Sequence, residues 1–241
     1  MKRIVFLTGA GMSAESGIPT FRDALTGLWA RYDAEQLATP AAFRRDPSLC
    51  WGWYRWRAAM VRRARPNAGH LGIAEFARRG HAVSVVTQNV DDLHERAGSR
   101  DVIHLHGSLF ASRCLDCGTA AVPDPILDGL DALAEGARET PPSCAACGGP
   151  IRPGVVWFGE ALPVEAWDRA IDAIEGCELL VVVGTSGLVQ PAASLPAHAR
   201  GRGVRVVEIN PADSAVSPYA DERLRMRASA GVQALLARSG S

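Results

Sequence analysis

Four stretches of this 241-residue chain are dominated by apolar residues: 4–8, 82–87, 179–183 and 204–209, the last broken by Arg205 and Glu208. A strand covered on both faces has no polar side to show, so runs of this kind predict buried strands of a parallel sheet. Residues 102–105 and 155–158 are shorter runs of the same type. Between them lie segments of helical period over residues 47–65, 68–79, 164–175, 192–200 and 230–238. Strands alternating with helices predict a doubly wound α/β domain.

Two stretches break the alternation. Residues 24–67 are rich in Trp and Arg with helical character and no strand signal, and residues 110–150 hold paired cysteines around a loop-like middle at 123–142. Each is expected to be an excursion from the sheet, the two joining into a small lobe. The expected layout is a single domain over 1–241. Its large lobe takes 1–30, 68–110 and 151–241; its small lobe takes 31–67 (helical) and 111–150 (a metal module).

Composition narrows the partners. The chain is 47% hydrophobic and 22% charged, with Lys+Arg and Asp+Glu balanced at 26 each. No bulk field pulls it toward nucleic acid or a membrane surface, and neither is expected as a partner. Residues 1–8 superficially resemble the start of a signal segment, but Gly9-Ala10-Gly11 follows at once and requires the run as a strand. No apolar stretch approaches the ~18 residues of a membrane span. Six cysteines, four of them in C-x-x-C pairs, suit a metal site in a reducing compartment, so a cytoplasmic protein is expected.

Gly9-Ala10-Gly11-Met12-Ser13-Ala14 reads G-x-G-x-x-A where a strand turns into a helix. Glycines let a backbone approach a pyrophosphate, and the exposed N–H groups of a helix start favour its charge. A Gly-rich turn with no ligand is the plainer reading. The acidic residue expected about 20 residues on in a dehydrogenase is missing, since Ile18-Pro19-Thr20-Phe21-Arg22-Asp23 reads as an irregular loop. The nucleotide is therefore not expected to be held as in a dehydrogenase.

Cys114-Leu115-Asp116-Cys117 and Cys144-Ala145-Ala146-Cys147 form a C-x2-C…C-x2-C set, with Gly118 and Gly148 after the knuckles. Two such turns can complete a tetrahedral Zn²⁺ shell, and four sulfurs leave no open position for water, so one structural zinc is expected. Redox pairs or free thiols are the alternative. Cys50 and Cys177 lack sequence partners and read as buried fillers.

With these parts assembled, the sequence resembles the sirtuins, NAD-dependent protein deacylases. The matching strings are residues 9–22, Thr87-Gln88-Asn89-Val90-Asp91-Asp92-Leu93-His94 and His104-Leu105-His106-Gly107. They continue with the cysteine quartet, Val155-Val156-Trp157-Phe158-Gly159-Glu160 and Gly184-Thr185-Ser186. The resemblance implies a Rossmann-type doubly wound parallel sheet with a smaller lobe made of a helical insertion and a four-cysteine zinc-ribbon module. It implies an NAD site built from Gly9, Ala10, Gly11, Ser13, Ala14, Glu15, Thr20, Phe21 and Arg22 as phosphate cradle and cofactor loop. Gln88, Asn89 and Asp91 would line the nicotinamide and ribose pocket, and Gly184, Thr185, Ser186, Asn210 and Ala228 the phosphate and adenosine half. Without the family, Asn89 and Asp91 read as helix caps.

The same resemblance implies the reaction. The acyl-lysine carbonyl oxygen attacks the ribose C1′ as nicotinamide leaves, and His106 acts as general base on a ribose hydroxyl. That hydroxyl attacks the imidate carbon, water resolves the intermediate to free lysine and O-acyl-ADP-ribose, and the partners are acylated lysine side chains of proteins. Val156, Trp157, Phe158 and Gly159 would form an edge that a substrate peptide joins as a strand, or plain sheet core. A monomer is expected.

Tyr54 and Arg57 stand three apart in Trp51-Gly52-Trp53-Tyr54-Arg55-Trp56-Arg57 and would share a helix face. A phenol beside a guanidinium can receive a carboxylate. Class III sirtuins carry this Tyr-x-x-Arg pair, which implies succinyl- or malonyl-lysine as substrate together with acetyl-lysine. An amphipathic helix with snorkelling arginines is the plainer reading. The run Gly187-Leu188-Val189-Gln190-Pro191 departs from that class, where Tyr often precedes the proline. Mono-ADP-ribosyl transfer from the same NAD site is the alternative activity, and a non-catalytic NAD-binding or zinc-ribbon adaptor the alternative class.

Overall fold

The computed structural model describes residues 1–20, 37–130 and 136–239. In chain order the strands are β1 (Arg3–Thr8), β2 (Ala82–Thr87), β3 (Val102–His104), β4 (Arg113–Cys114), β5 (Ile151–Arg152), β6 (Leu179–Val183), β7 (Arg205–Ile209) and β8 (Glu222–Leu224). The described α-helices are α1 (Gly11–Ala14), α2 (Pro40–Arg45), α3 (Pro47–Arg63), α4 (Ala68–Arg78), α5 (Leu93–Arg96), α6 (Val164–Glu175), α7 (Leu195–Gly201) and α8 (Ala228–Arg238). The chain divides into two compact units, one of Met1–Thr20, Arg65–Leu105 and Pro163–Ser241, the other of Phe21–Ala64 and His106–Leu162.

The first unit is a six-stranded parallel sheet in the order β3-β2-β1-β6-β7-β8. The four long apolar runs all lie in it, with Val5 of β1 opposite Ser84 on one side and Leu180 on the other. Alternate residues of each strand share a face. Ile4, Phe6, Val181, Val183, Val207 and Ile209 accordingly join Ile73 and Phe76 of α4 and Val232 of α8 in one buried cluster. At the sheet edge β8 reads Glu222-Arg223-Leu224 and has only Leu224 buried, which is why its sequence carries no apolar signal. Residues 192–200 open with a 3-10 turn, Ala192–Ser194, before α7 begins.

The second unit is built on α3, whose buried residues include Cys50, Trp51, Trp53, Tyr54, Ala58 and Val61. Thr39 caps α2 by accepting the Ala42 N–H at 3.1 Å, and Asp46 caps α3 by accepting the Leu49 N–H at 3.1 Å. The helical reading of residues 24–67 thus holds for α2 and α3, while residues 24–36 lie outside those described. β4 and β5 form a two-residue antiparallel ladder, Arg113 opposite Arg152 and Cys114 opposite Ile151.

Residues 155–158 do not form the strand that their composition predicts. Val155 makes a single antiparallel bridge to Gly107. Beyond it the Trp157 main-chain N–H turns to the Glu160 carboxylate at 2.8 Å and the Phe158 N–H to the Ala38 carbonyl at 3.0 Å. The apolar run reflects packing of Val155 and Trp157, both buried, rather than a ladder. Among the described residues, no helix is long and apolar enough to cross a membrane.

Candidate active site

In the first unit the chain order along the sheet reverses between β1 and β6. Loops leaving neighbouring strands at such a point diverge and open a crevice at the carboxyl ends of the strands, the usual ligand position in this architecture. The loop after β1 is fastened to the one after β6: the Gly9 N–H donates to the Val183 carbonyl at 3.0 Å and the Gly11 N–H to that of Gly184 at 2.8 Å. Ala10 stands just before α1, which carries Ser13 and Ala14.

Buried polar side chains gather behind this loop. The Asn89 amide donates to the Ser13 hydroxyl at 3.1 Å, and that hydroxyl donates to the Asp91 carboxylate at 2.9 Å. Asp91 also accepts the Leu93 N–H at 3.1 Å, closing an Asx turn just before α5; the N-cap of that helix is Asp92, whose side chain makes no cap bond. Burial pushes the Asp91 carboxyl above the ordinary range, against the opposing pull of these donors. Gln88 donates to the Thr185 hydroxyl at 3.0 Å, and the Asn210 amide to the Thr185 carbonyl at 2.9 Å. The Ser186 carbonyl accepts the Ala215 N–H at 3.1 Å. Glu15 accepts the Ser229 N–H at 2.9 Å, next to Ala228 at the start of α8. Thr20 is half-buried; Phe21 and Arg22 lie outside the described residues.

Two neighbours were not evident in the sequence as site residues. Asn67 caps α4 in a capping box with His70, and its amide donates to the Met12 carbonyl at 2.8 Å and the Ser16 hydroxyl at 3.0 Å, bracing α1. The signal available was an Asn three residues before a polar side chain at a helix start. His104 bonds the Asn89 carbonyl at 3.2 Å and the Glu95 carboxylate at 2.6 Å. Burial alone would lower its pKa, but Glu95 outweighs that and raises it. Glu208, near the end of β7, is turned to the loop that follows; its oxygens accept the Ser214 and Ser217 hydroxyls at 2.5 and 2.7 Å.

This arrangement fits a dinucleotide. Side-chain-free backbone at residues 9, 11 and 184, the start of a helix, and buried amide and carboxylate groups at strand ends match the needs of phosphates and ribose hydroxyls.

In the second unit, the main chain of half-buried His106 is fixed by its carbonyl, which accepts the Val156 N–H at 2.8 Å. Gly107 follows with φ +72°, and a Cβ there would lie 2.1 Å from the Gly154 carbonyl oxygen. Tyr54 is buried, and its phenol oxygen accepts the Trp157 indole N–H at 2.9 Å. Burial pushes the phenol pKa up, with nearby Arg57 pulling the other way. The Arg57 guanidinium stands 5.0 Å from the centroid of the Trp53 ring. Phe158 is exposed, and Gly159 turns the chain with φ +85°.

The cysteine quartet converges. The sulfurs of Cys114, Cys117, Cys144 and Cys147 lie within 4.8 Å of one another, with Cys114–Cys147 at 3.4 Å and Cys117–Cys144 at 3.7 Å. A tetrahedral Zn²⁺ with Zn–S bonds of about 2.3 Å needs sulfurs roughly 3.8 Å apart, so the donor set fits zinc with a closed shell. Gly118 and Gly148, with φ +73° and +77°, turn the two knuckles. Cys50 and Cys177 are buried apart from the quartet, their thiols against the Leu37 and Ile174 carbonyls at 3.6 and 3.1 Å.

A doubly wound sheet with a glycine cradle at its switch point, joined in one chain to a four-thiolate module, defines a nucleotide-binding α/β protein with a structural metal site. The Sir2 family pattern matches residues 9–191, and the chain belongs to that family. It is 60% identical over 210 residues to "NAD-dependent protein deacylase 1" of Pseudomonas aeruginosa, covering 87% of this chain and 83% of that one. To the "NAD-dependent protein deacylase" of Mycolicibacterium paratuberculosis it is 52% identical over 237 residues, 98% and 97% of the two chains. Among solved structures, a Sir2 homologue–NAD complex superposes with TM-score 0.86 at 48% identity, covering 98% of this chain and 88% of the other. A Sir2–p53 peptide–NAD⁺ structure gives 0.82 at 31%, covering 98% and 93%.

Proposed function

We propose that this chain is an NAD-dependent protein-lysine deacylase that removes succinyl and malonyl groups as well as acetyl. The observation that carries the activity is its identity of 50–60% to relatives named as NAD-dependent protein deacylases, over most of each chain. No observation favours ADP-ribosyl transfer to protein. Bound NAD supplies an electrophilic sugar carbon with nicotinamide as its leaving group.

The chain's own residues supply orientation and proton transfer. Ser13, Asn89 and Asp91, already bonded to one another, hold the sugar and amide end, and the loops at Gly9–Gly11 and Gly184–Ser186 hold the phosphates. His106 takes the proton from a ribose hydroxyl, a task for which imidazole's near-neutral pKa is suited. Residues 156–159 receive the substrate peptide. Tyr54 and Arg57 receive the acyl carboxylate: with the phenol's acceptor side used by Trp157, its own O–H proton is directed to an anion. The paired C-x-x-C motifs support a reducing, cytoplasmic setting, and we assign a monomer acting on protein lysines.

The test is incubation of purified protein with acyl-lysine peptide and NAD. Free nicotinamide, deacylated peptide and O-acyl-ADP-ribose are expected by mass spectrometry. Protein gaining the mass of ADP-ribose would indicate transfer instead, and no nicotinamide release would end the proposal.

A further inference from the structure

Trp157 is 2% exposed, and its indole N–H points at the Tyr54 phenol oxygen, 2.9 Å away. Two groups hold the indole. The Arg152 guanidinium lies 3.3 Å from its ring centroid, and the Phe43 ring centroid is 5.2 Å away. Arg152 is itself fixed, donating to both Glu160 carboxylate oxygens at 2.5 and 3.0 Å and to the Val155 carbonyl at 2.7 Å. Glu160 in turn accepts the Trp157 main-chain N–H at 2.8 Å. The indole therefore has little freedom to turn away from Tyr54.

A phenol has one proton to donate and an oxygen that accepts. A clamped indole N–H on one lone pair turns the phenol's own proton away from Trp157, so that a further acceptor entering the pocket meets it as a donor. Burial keeps that proton on, since it disfavours the phenolate. A phenol free to rotate could present its lone pairs, which repel a carboxylate.

We propose that Trp157 is a specificity-determining positioning residue: its indole N–H orients the Tyr54 hydroxyl as a donor, and so favours acyl groups that end in a carboxylate. The inference rests on the acyl-pocket reading of Tyr54 above. It predicts that a ring without the N–H discriminates poorly even when packing is kept.

The experiment is a double-mutant cycle on the full chain with Trp157→Phe, Tyr54→Phe and the double variant. kcat/KM is measured for succinyl- and acetyl-lysine forms of one peptide. Any general effect of Trp157→Phe falls on both peptides, so the readout is their ratio. In the Tyr54 background it is expected to lower the succinyl-to-acetyl ratio by roughly three- to tenfold, the worth of one buried hydrogen bond. In the Tyr54→Phe background the same change should leave the ratio where Tyr54→Phe alone put it, because the hydroxyl through which the indole acts on the acyl carboxylate is then absent. Equal effects of Trp157→Phe in both backgrounds would overturn the inference while leaving the acyl pocket standing. A ratio indifferent to Tyr54→Phe would remove the pocket reading, and this inference with it.

Discussion

Gly11 and Gly184 meet backbone to backbone. The Gly11 N–H donates to the Gly184 carbonyl at 2.8 Å, and a Cβ on Gly184 would lie 2.6 Å from the Gly11 carbonyl carbon and the Met12 nitrogen. Gly184 also has φ +61°, a conformation in which a side chain is strained. No flexible group stands in the way that could yield; the clash is with main chain. Gly184→Ala is therefore expected to destabilise the protein by about 2 kcal/mol or more and to displace α1, which carries Ser13. Urea denaturation reads the first effect and calorimetric NAD titration the second. Unchanged values in both would show that this approach is not needed.

Acid lability follows from two buried histidines. Burial lowers the pKa of His70 from 6.5 to about 4 and that of His94 well below 6.5. Both stay neutral in the fold but take up protons once unfolded. Between pH 6.5 and about 4 the unfolded chain binds the extra protons, so their contribution to stability is full above pH 6.5 and falls as pH drops. Asp91 and His104, with raised pKa values, work in the opposite sense. The His70 part is isolated by comparison: His70→Gln should lose less stability than the parent protein between pH 6.5 and 4.5, by about 1–3 kcal/mol. Parallel urea-midpoint curves for the two proteins would contradict it.

The thiolate quartet predicts metal dependence. Cys144→Ala removes a buried sulfur and leaves three donors, and a structural zinc site contributes directly to folding. Metal analysis is expected to fall from about one zinc per chain to near zero. Limited proteolysis should then cut readily between residues 106 and 162. A variant without zinc that resists protease as the parent does would show the module to be held by packing alone.

What was legible in the sequence was whatever depends on near neighbours. β2 and β6 run over the residues their apolar runs mark, and α6 over its helical period, because each buries a pattern that is local. The cysteines converge because spacing within each knuckle fixes half of the site. Residues 155–158 misled because buried side chains look alike whether or not the backbone joins a ladder, and here the amides turn to Glu160 and Ala38 instead. Nor does spacing disclose that Trp157 and Tyr54, 103 residues apart, share a hydrogen bond, or that Asn67 braces a loop 55 residues before it. Those pairings belong to the fold.

Arg57 allows the acyl preference to be tested apart from catalysis. Its guanidinium is half-buried beside the Trp53 ring, one helical turn after Tyr54. Arg57→Met keeps an unbranched apolar stem of similar length and removes only the charged fork. A charge-assisted hydrogen bond in a partly buried site contributes about 1.5–3 kcal/mol, so succinyl-lysine kcat/KM should fall roughly 10- to 150-fold. The acyl carboxylate lies several bonds from the reacting carbonyl and is bound alike in the ground and transition states. Most of the loss should therefore appear in KM, with kcat little changed. Acetyl-lysine has no carboxylate for the fork to hold, and its kcat/KM should stay within about threefold of the parent. Equal losses on the two peptides would mean that Arg57 supports the helix and not the acyl group, because a packing defect has no means of telling a methyl from a carboxylate.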